Sequence, residues 1–156
     1  MKSDTVSPMP KPVYSEELLA PLWLLAFIYF LFASLAISVW AALGNAPGLI
    51  LIIFFTILTF YLHRKTALRI EISEGELRIG RAHIEIKYLG TISTLDADLM
   101  RLTRGRDADP AAFLAIRFWQ PRGVKIEIKD PRDPTPYWLI SSKENVKLTQ
   151  VLNDYK

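Results

Sequence analysis

Three pairs of aspartates are the side chains of this 156-residue sequence best suited to chemistry: Asp96 with Asp98, Asp107 with Asp109, and Asp130 with Asp133. A glycosidase or a magnesium-dependent phosphotransferase needs paired carboxylates of this kind. Aspartate beside proline or glycine also shapes turns, because its carboxylate hydrogen-bonds to backbone groups nearby, and that structural role competes with catalysis at each pair. The two histidines, His63 and His83, are far apart in sequence and no cysteine accompanies them, so no zinc-ligand spacing is present. The phosphate-cradling patterns GxxxxGK[ST] and GxGxxG and the nucleophile pattern GxSxG are also missing. No catalytic, cofactor-binding or metal-ligating residue is assigned and no cofactor is expected. The chain is read as a non-enzymatic protein, with a membrane-bound enzyme or accessory subunit using Asp107, Asp109, Asp130 or Asp133 as the alternative.

A second candidate is a loop built for recognition. Asp130, Asp133, Pro134, Pro136, Tyr137 and Trp138 lie in one stretch, DPRDPTPYW. Its three prolines lower the entropy lost on binding, so exposed Tyr137 and Trp138 would be presented rigidly. The competing reading is a proline-stiffened corner in which Tyr137 or Trp138 is buried.

The elements that must position these residues divide the chain in three. Residues 1–19 form a proline-containing N-terminal arm, read as flexible. From Ala20 to Leu62, 43 consecutive residues carry no Asp, Glu, Lys or Arg. Such a block excludes a disordered chain, an ordinary soluble enzyme and a disulfide scaffold. Leu22–Leu43, at a rise of 1.5 Å per residue, makes a helix of about 33 Å, enough for a hydrocarbon core of about 30 Å. Gly44 to Gly48 break the run, and a second span over about 47–64 completes a helical hairpin within residues 20–66. No Asp, Glu, Lys, Arg or His lies within the apolar runs Leu22–Leu43 and Leu49–Leu62, which disfavours a transporter. Ala33, Ser34, Ala36 and Ser38 are small enough for close helix pairing.

Charge sets the expected orientation. His63, Arg64, Lys65 and Arg69 crowd the end of the second span, whereas the loop between the spans has no charge. By the positive-inside rule both termini are cytoplasmic and the protein is a multi-pass protein of the plasma membrane. Arg64, Lys65 and Arg69 are then membrane-surface residues, attracted to anionic headgroups. The whole sequence has 19 Lys+Arg against 16 Asp+Glu, too balanced for a nucleic-acid-binding stripe, so no nucleic-acid partner is expected. The chain is read as a membrane-anchored interaction module whose cytoplasmic domain binds a partner protein or lipid headgroups, and the expected partners are the lipid bilayer and a partner protein or a second copy.

Beyond the hairpin, residues 67–156 read as a mainly antiparallel β domain. Leu68, Ile70 and Ile72 alternate with polar residues, as do Leu77 and Ile79, Ala82 to Ile86, and Val124 to Ile128. Further strands are expected around Ile92 to Leu95, over Phe113 to Trp119 and over Tyr137 to Ser141. A helix from about Lys143 to Asp154, with Ser142 as its N-cap, closes the domain. The fold class is therefore α+β: a two-helix transmembrane hairpin followed by a pleckstrin-homology-like barrel, or an open sheet, closed by a C-terminal helix.

Three strings, GRAHI at Gly80 to Ile84, ADP at Ala108 to Pro110 and DPRDPTPYWLIS at Asp130 to Ser141, stand behind the hairpin. With it they resemble a family of bacterial, mainly actinobacterial, membrane proteins known as domain of unknown function 3093. The resemblance runs from about Tyr14 to the C-terminus and implies no activity, so it carries over no functional residue. The helix opening SSKENVKL departs from the more basic, proline-containing start that the resemblance implies.

Overall fold

The computed structural model describes residues 12–156 and divides them into two compact units, the helical hairpin over residues 18–67 and a β unit made of the remainder. The hairpin consists of α1 (Leu22–Leu43) and α2 (Asn45–Lys65). Gly44 alone separates them. Its φ of 89° lets the chain reverse, and its N–H closes α1 on the Trp40 carbonyl at 2.9 Å. The sequence places the second span from about residue 47, but α2 starts two residues earlier, since Pro47 fits the first turn of a helix where its missing N–H costs nothing.

Packing within the hairpin rests on a few contacts. Gly48 is buried against Trp40, where a Cβ would come within 2.6 Å of the tryptophan side chain, and Trp40 Nε1–H donates to Asn45 Oδ1 at 2.8 Å. Phe32 stacks on Phe55 with centroids 4.6 Å apart, and Ala36 is fully buried. Ser34 and Ser38 do not join the packing. They are exposed and donate to the carbonyls of Phe30 and Ser34 of their own helix. Both helices are long and apolar enough to cross a membrane, and only 6% of the most apolar 18-residue stretch of each is buried.

The β unit contains two four-stranded sheets. The first has the order β1 (Tyr14–Leu18), β2 (Leu68–Ser73), β3 (Glu76–Ile79), β4 (Ala82–Glu85). Two-residue turns fold its β2–β3–β4 meander. Glu74 and Gly75 both take positive φ, as a type I′ turn requires, and Gly80 takes φ 60° ahead of Arg81, as a type II′ turn does. Leu68, Ile70, Ile72, Leu77, Ile79 and Ile84 are buried along one face, while Arg69, Arg78, His83 and Glu85 are exposed on the other.

The second sheet has the order β5 (Leu89–Leu95), β7 (Gly123–Ile128), β8 (Tyr137–Ser141), β6 (Phe113–Ala115). Helix α3 (Ala97–Arg104) follows β5, and α4 (Asn145–Asp154) packs on β5 and β7 with Leu148 and Leu152 buried. Leu95, Met100, Tyr137 and Leu139 form one buried cluster. Trp138 and Ile140 project from the opposite side of β8, opposite Ile126 and Val124 of β7, and these four are buried as well. Every residue of β8 is therefore buried.

Several expectations are corrected. No closed barrel forms: the 3-10 turn Ile86–Tyr88 separates β4 from β5, so that the two strands end different sheets. β6 is parallel to β8 and stops at Ala115 rather than Trp119. The N-terminal arm is not wholly a flexible tail. Residues 1–11 lie outside the described residues, but Tyr14–Leu18 form β1, with Tyr14 and Leu18 buried. Ser142 does not cap the last helix, which starts at Asn145 behind Glu144.

Candidate functional site

The loop between β7 and β8 is folded by its aspartates. The carbonyl of Asp130 accepts from Asp133 N–H at 3.1 Å, with Pro131 at the second position of the turn. Asp130 Oδ1 accepts from Arg132 N–H at 2.9 Å and Asp133 Oδ1 from Thr135 N–H at 2.9 Å. Both carboxylates thus brace the backbone two residues ahead.

Arg132 gathers the outer surface of this loop. Its Nε and Nη2 donate to the two oxygens of Asp130 at 3.2 and 3.3 Å, and Nη2 also donates to the Tyr88 hydroxyl at 3.4 Å. Its guanidinium lies 5.6 Å from the Tyr88 ring centroid, and Lys87 Nζ lies 4.8 Å from the same centroid. The hydrogen bonds from Arg132 hold the Asp130 carboxyl below the ordinary carboxylate range, and in return Asp130 holds the Arg132 guanidinium above its usual value. Tyr88, Asp130 and Arg132, together with Glu76, His83, Ile84, Glu85 and Asp133, line an open groove of about 250 Å³. Tyr88 and Arg132 were not among the sequence-derived candidates; they come together only because β5 and β7 pair, placing Tyr88 O against Lys129 N–H at 2.8 Å.

Tyr137 and Trp138, the aromatic half of the predicted recognition loop, are not presented to solvent. They belong to β8, an interior strand covered on both faces. The Tyr137 hydroxyl accepts from Asp109 N–H at 3.0 Å, and the Trp138 ring lies 4.8 Å from that of Phe113. Pro134 is exposed and Pro136 half-buried. The structure keeps Asp130 and Asp133 together beside the groove and removes Tyr137 and Trp138 into the core.

Of the other candidate aspartates, Asp98 is exposed in the first turn of α3 and the rest are engaged locally. Asp96 caps α3 by accepting from Leu99 N–H at 2.9 Å. Asp109 accepts from Ala111 N–H at 2.8 Å, and Asp107 pairs with Arg106 at 3.0 Å. Among the described residues, no three His, Cys, Asp or Glu side chains are grouped so as to hold a metal ion.

The predicted membrane-surface residues are placed as follows. Arg64 and Lys65 occupy the last turn of α2, where cations offset the negative end of the helix dipole, and each lies over the ring four residues earlier, Phe60 at 5.3 Å and Tyr61 at 5.4 Å. Arg69 opens the exposed face of β2 and pairs with Glu71 at 2.7 Å.

One polar centre was missed in the sequence. Glu16 on β1 accepts from the Tyr14 hydroxyl at 2.8 Å, the Ser142 hydroxyl at 2.6 Å and Lys143 N–H at 2.6 Å. Burial, and then the bond to Glu16, push the Tyr14 hydroxyl pKa well above its usual value. The signal was the period-two run Tyr14, Glu16, Leu18, hidden beside the proline-containing arm.

No curated protein and no solved structure matches the chain. A family model does: the one described as protein of unknown function (DUF3093) matches residues 13–152, from the residue before β1 to the buried Leu152 of α4, and the chain belongs to that family.

Proposed function

We propose that the chain is a multi-pass protein of the plasma membrane with both termini in the cytoplasm, and that its β domain is a non-enzymatic interaction module. The observation that carries this reading is the exposure of α1 and α2. Leu22, Trp23, Phe30, Ile50, Ile57 and Phe60 are all more than 60% exposed. In water such surface would carry a penalty of roughly 25 cal/mol per Å², which a bilayer removes. The uncharged turn between the helices and the basic end of α2 support the orientation.

Within this reading the β domain is a scaffold of the pleckstrin-homology-like kind, and the groove beside Tyr88 and Arg132 is where a partner protein binds. The groove is walled by a rigid, proline-bearing loop, so little ordering entropy is lost there. Glu76, Glu85, Asp130 and Asp133 outnumber Arg132 among its charged walls, which favours a basic segment of the partner. That Asp96, Asp109, Asp130 and Asp133 each brace local backbone supports a binding role over catalysis.

The test is copurification of the full-length protein from native membranes in mild detergent, with Tyr88→Ala and Arg132→Ala variants alongside. A partner held at stoichiometric level by the wild type and lost by both variants is the expected result. A partner retained equally by all three would show that the groove is not the binding surface, and absence of any partner would remove the module reading.

A further inference from the structure

The exposed face of the first sheet is graded in charge along its strands. Its register pairs Ile70 with Ile79 and Ile79 with Ala82, and Gly80 N–H donates to Arg69 O at 2.9 Å. Leu68, Arg69, Gly80 and Arg81 therefore share one end of the β2–β3–β4 meander. At the other end Ser73 pairs with Glu76 and Glu76 with Glu85, next to the turn residue Glu74. One end is basic and the other acidic. Facing carboxylates at Glu76 and Glu85 would repel, but Arg78 pairs with the first at 2.9 Å and Lys87 with the second. Arg69 is paired with Glu71, whereas Arg81 is exposed and takes part in no ion pair among the described residues.

The basic end is the one that the chain enters from α2. Only Thr66 and Ala67 stand between the end of α2 and the start of β2, a connection of about 10 Å when extended. The acidic end is five residues further along β2, roughly 17 Å, or about two Debye lengths at physiological ionic strength. A negative surface set against the basic end would therefore attract Arg69 and Arg81 while its repulsion of Glu74, Glu76 and Glu85 at the far end is screened.

We infer that the Arg69 and Arg81 end of this sheet is a docking edge for anionic phospholipid headgroups, with Arg81, held at the tip of the Gly80 turn, as its principal contact. This rests on the membrane reading above and adds the lipid class and the residue. The II′ turn contributes directly: the positive φ of Gly80 makes the reversal only two residues long, so the Arg81 side chain stands at the extremity of the strand pair.

The experiment is hydrogen exchange on the full-length chain in nanodiscs of phosphatidylcholine, and of phosphatidylcholine mixed with phosphatidylglycerol. Exchange in the turn at residues 79–82 should slow by about fivefold in the anionic discs, the effect of one surface cation near headgroups. The turn at residues 73–76 should not change. Arg81→Gln should abolish the slowing and high salt should weaken it. Equal rates in both lipids, slowing that survives Arg81→Gln, or slowing spread over the whole β unit would each overturn the inference while leaving the membrane reading intact. A chain that does not enter the discs at all would overturn both.

Discussion

The Glu16 carboxylate accepts a 2.6 Å hydrogen bond from the Ser142 hydroxyl, joining residues 126 positions apart in the sequence. Glu16 precedes α1 and Ser142 precedes α4, so the β domain is built from chain on both sides of the hairpin. The hairpin is an insertion between two neighbouring strands, β1 and β2. The β domain is consequently attached to it at two points, through residues 19–21 and 66–67, rather than trailing from one.

A fragment beginning at Ala67 should therefore be incomplete. It lacks β1, leaving β2 as an open edge and Ser142, which is fully buried, without its acceptor. Replacing residues 19–67 by a short glycine-serine linker, so that β1 is kept, should give a cooperatively melting domain, whereas the Ala67 fragment should melt at lower temperature or not cooperatively. Equal melting curves would show that β1 is dispensable.

Glu16→Ala in the full chain tests the same bond singly. Removing the acceptor strands the buried Ser142 hydroxyl, at a cost of roughly 1–3 kcal/mol, and frees the exposed Lys143 N–H to water. Denaturant unfolding of the β domain should show a lower midpoint with an unchanged slope. Ser142→Ala should cost less, because Glu16 keeps Lys143 and Tyr14.

Trp138 and Arg132, six residues apart, should part ways. Trp138→Ala empties a buried site against Phe113 and should cost about 3–5 kcal/mol. Arg132 is exposed, so Arg132→Ala should leave the melting temperature nearly unchanged while abolishing partner retention. Thermal unfolding and copurification on the same samples separate the two effects.

The Asp130 carboxyl should titrate below the ordinary aspartate range, because Arg132 and its N–H stabilise the charged form. A carboxyl with a depressed folded-state pKa contributes stability above its unfolded pKa of about 3.9, and that contribution is lost as pH falls through the lower folded-state value. The 130–133 turn should thus persist at mildly acidic pH and loosen only in strong acid. Carboxyl carbon shifts followed by NMR should show the low midpoint, and Arg132→Gln should move it upward; a midpoint unaffected by the substitution would contradict the pairing.

Much of this architecture could be read from residue order. The bounds of α1 are those of the apolar run Leu22–Leu43 that stops at the Gly44 breaker, and the alternation of Ile70, Ile72, Leu77 and Ile79 with polar residues marks the first sheet. Gly75 and Gly80 mark its turns because they supply the positive φ that tight hairpins need. Long-range pairing was not legible. Nothing local in FLA of β6 says that it runs parallel to YWLIS of β8. The lack of alternation in YWLIS did carry information: a run apolar at nearly every position suits a strand covered on both faces, which is why Tyr137 and Trp138 are core and not recognition residues. The groove was half legible, since Asp130 and Asp133 stand out in sequence but Tyr88 and Arg132 meet only through strand pairing.

The central claim, a β domain anchored by a membrane hairpin with its termini inside, is tested most directly by cysteine labelling, because the chain contains no cysteine of its own. Single cysteines would be introduced as Ala46→Cys, at an exposed site in the first turn of α2 beside the Gly44 reversal, and Ala111→Cys, at an exposed site in the β domain. In intact cells a membrane-impermeant maleimide should label the first and not the second, and after lysis it should label both. Labelling of Ala111→Cys in intact cells would contradict the orientation, and recovery of the protein in the soluble fraction after carbonate washing would contradict the membrane anchor itself.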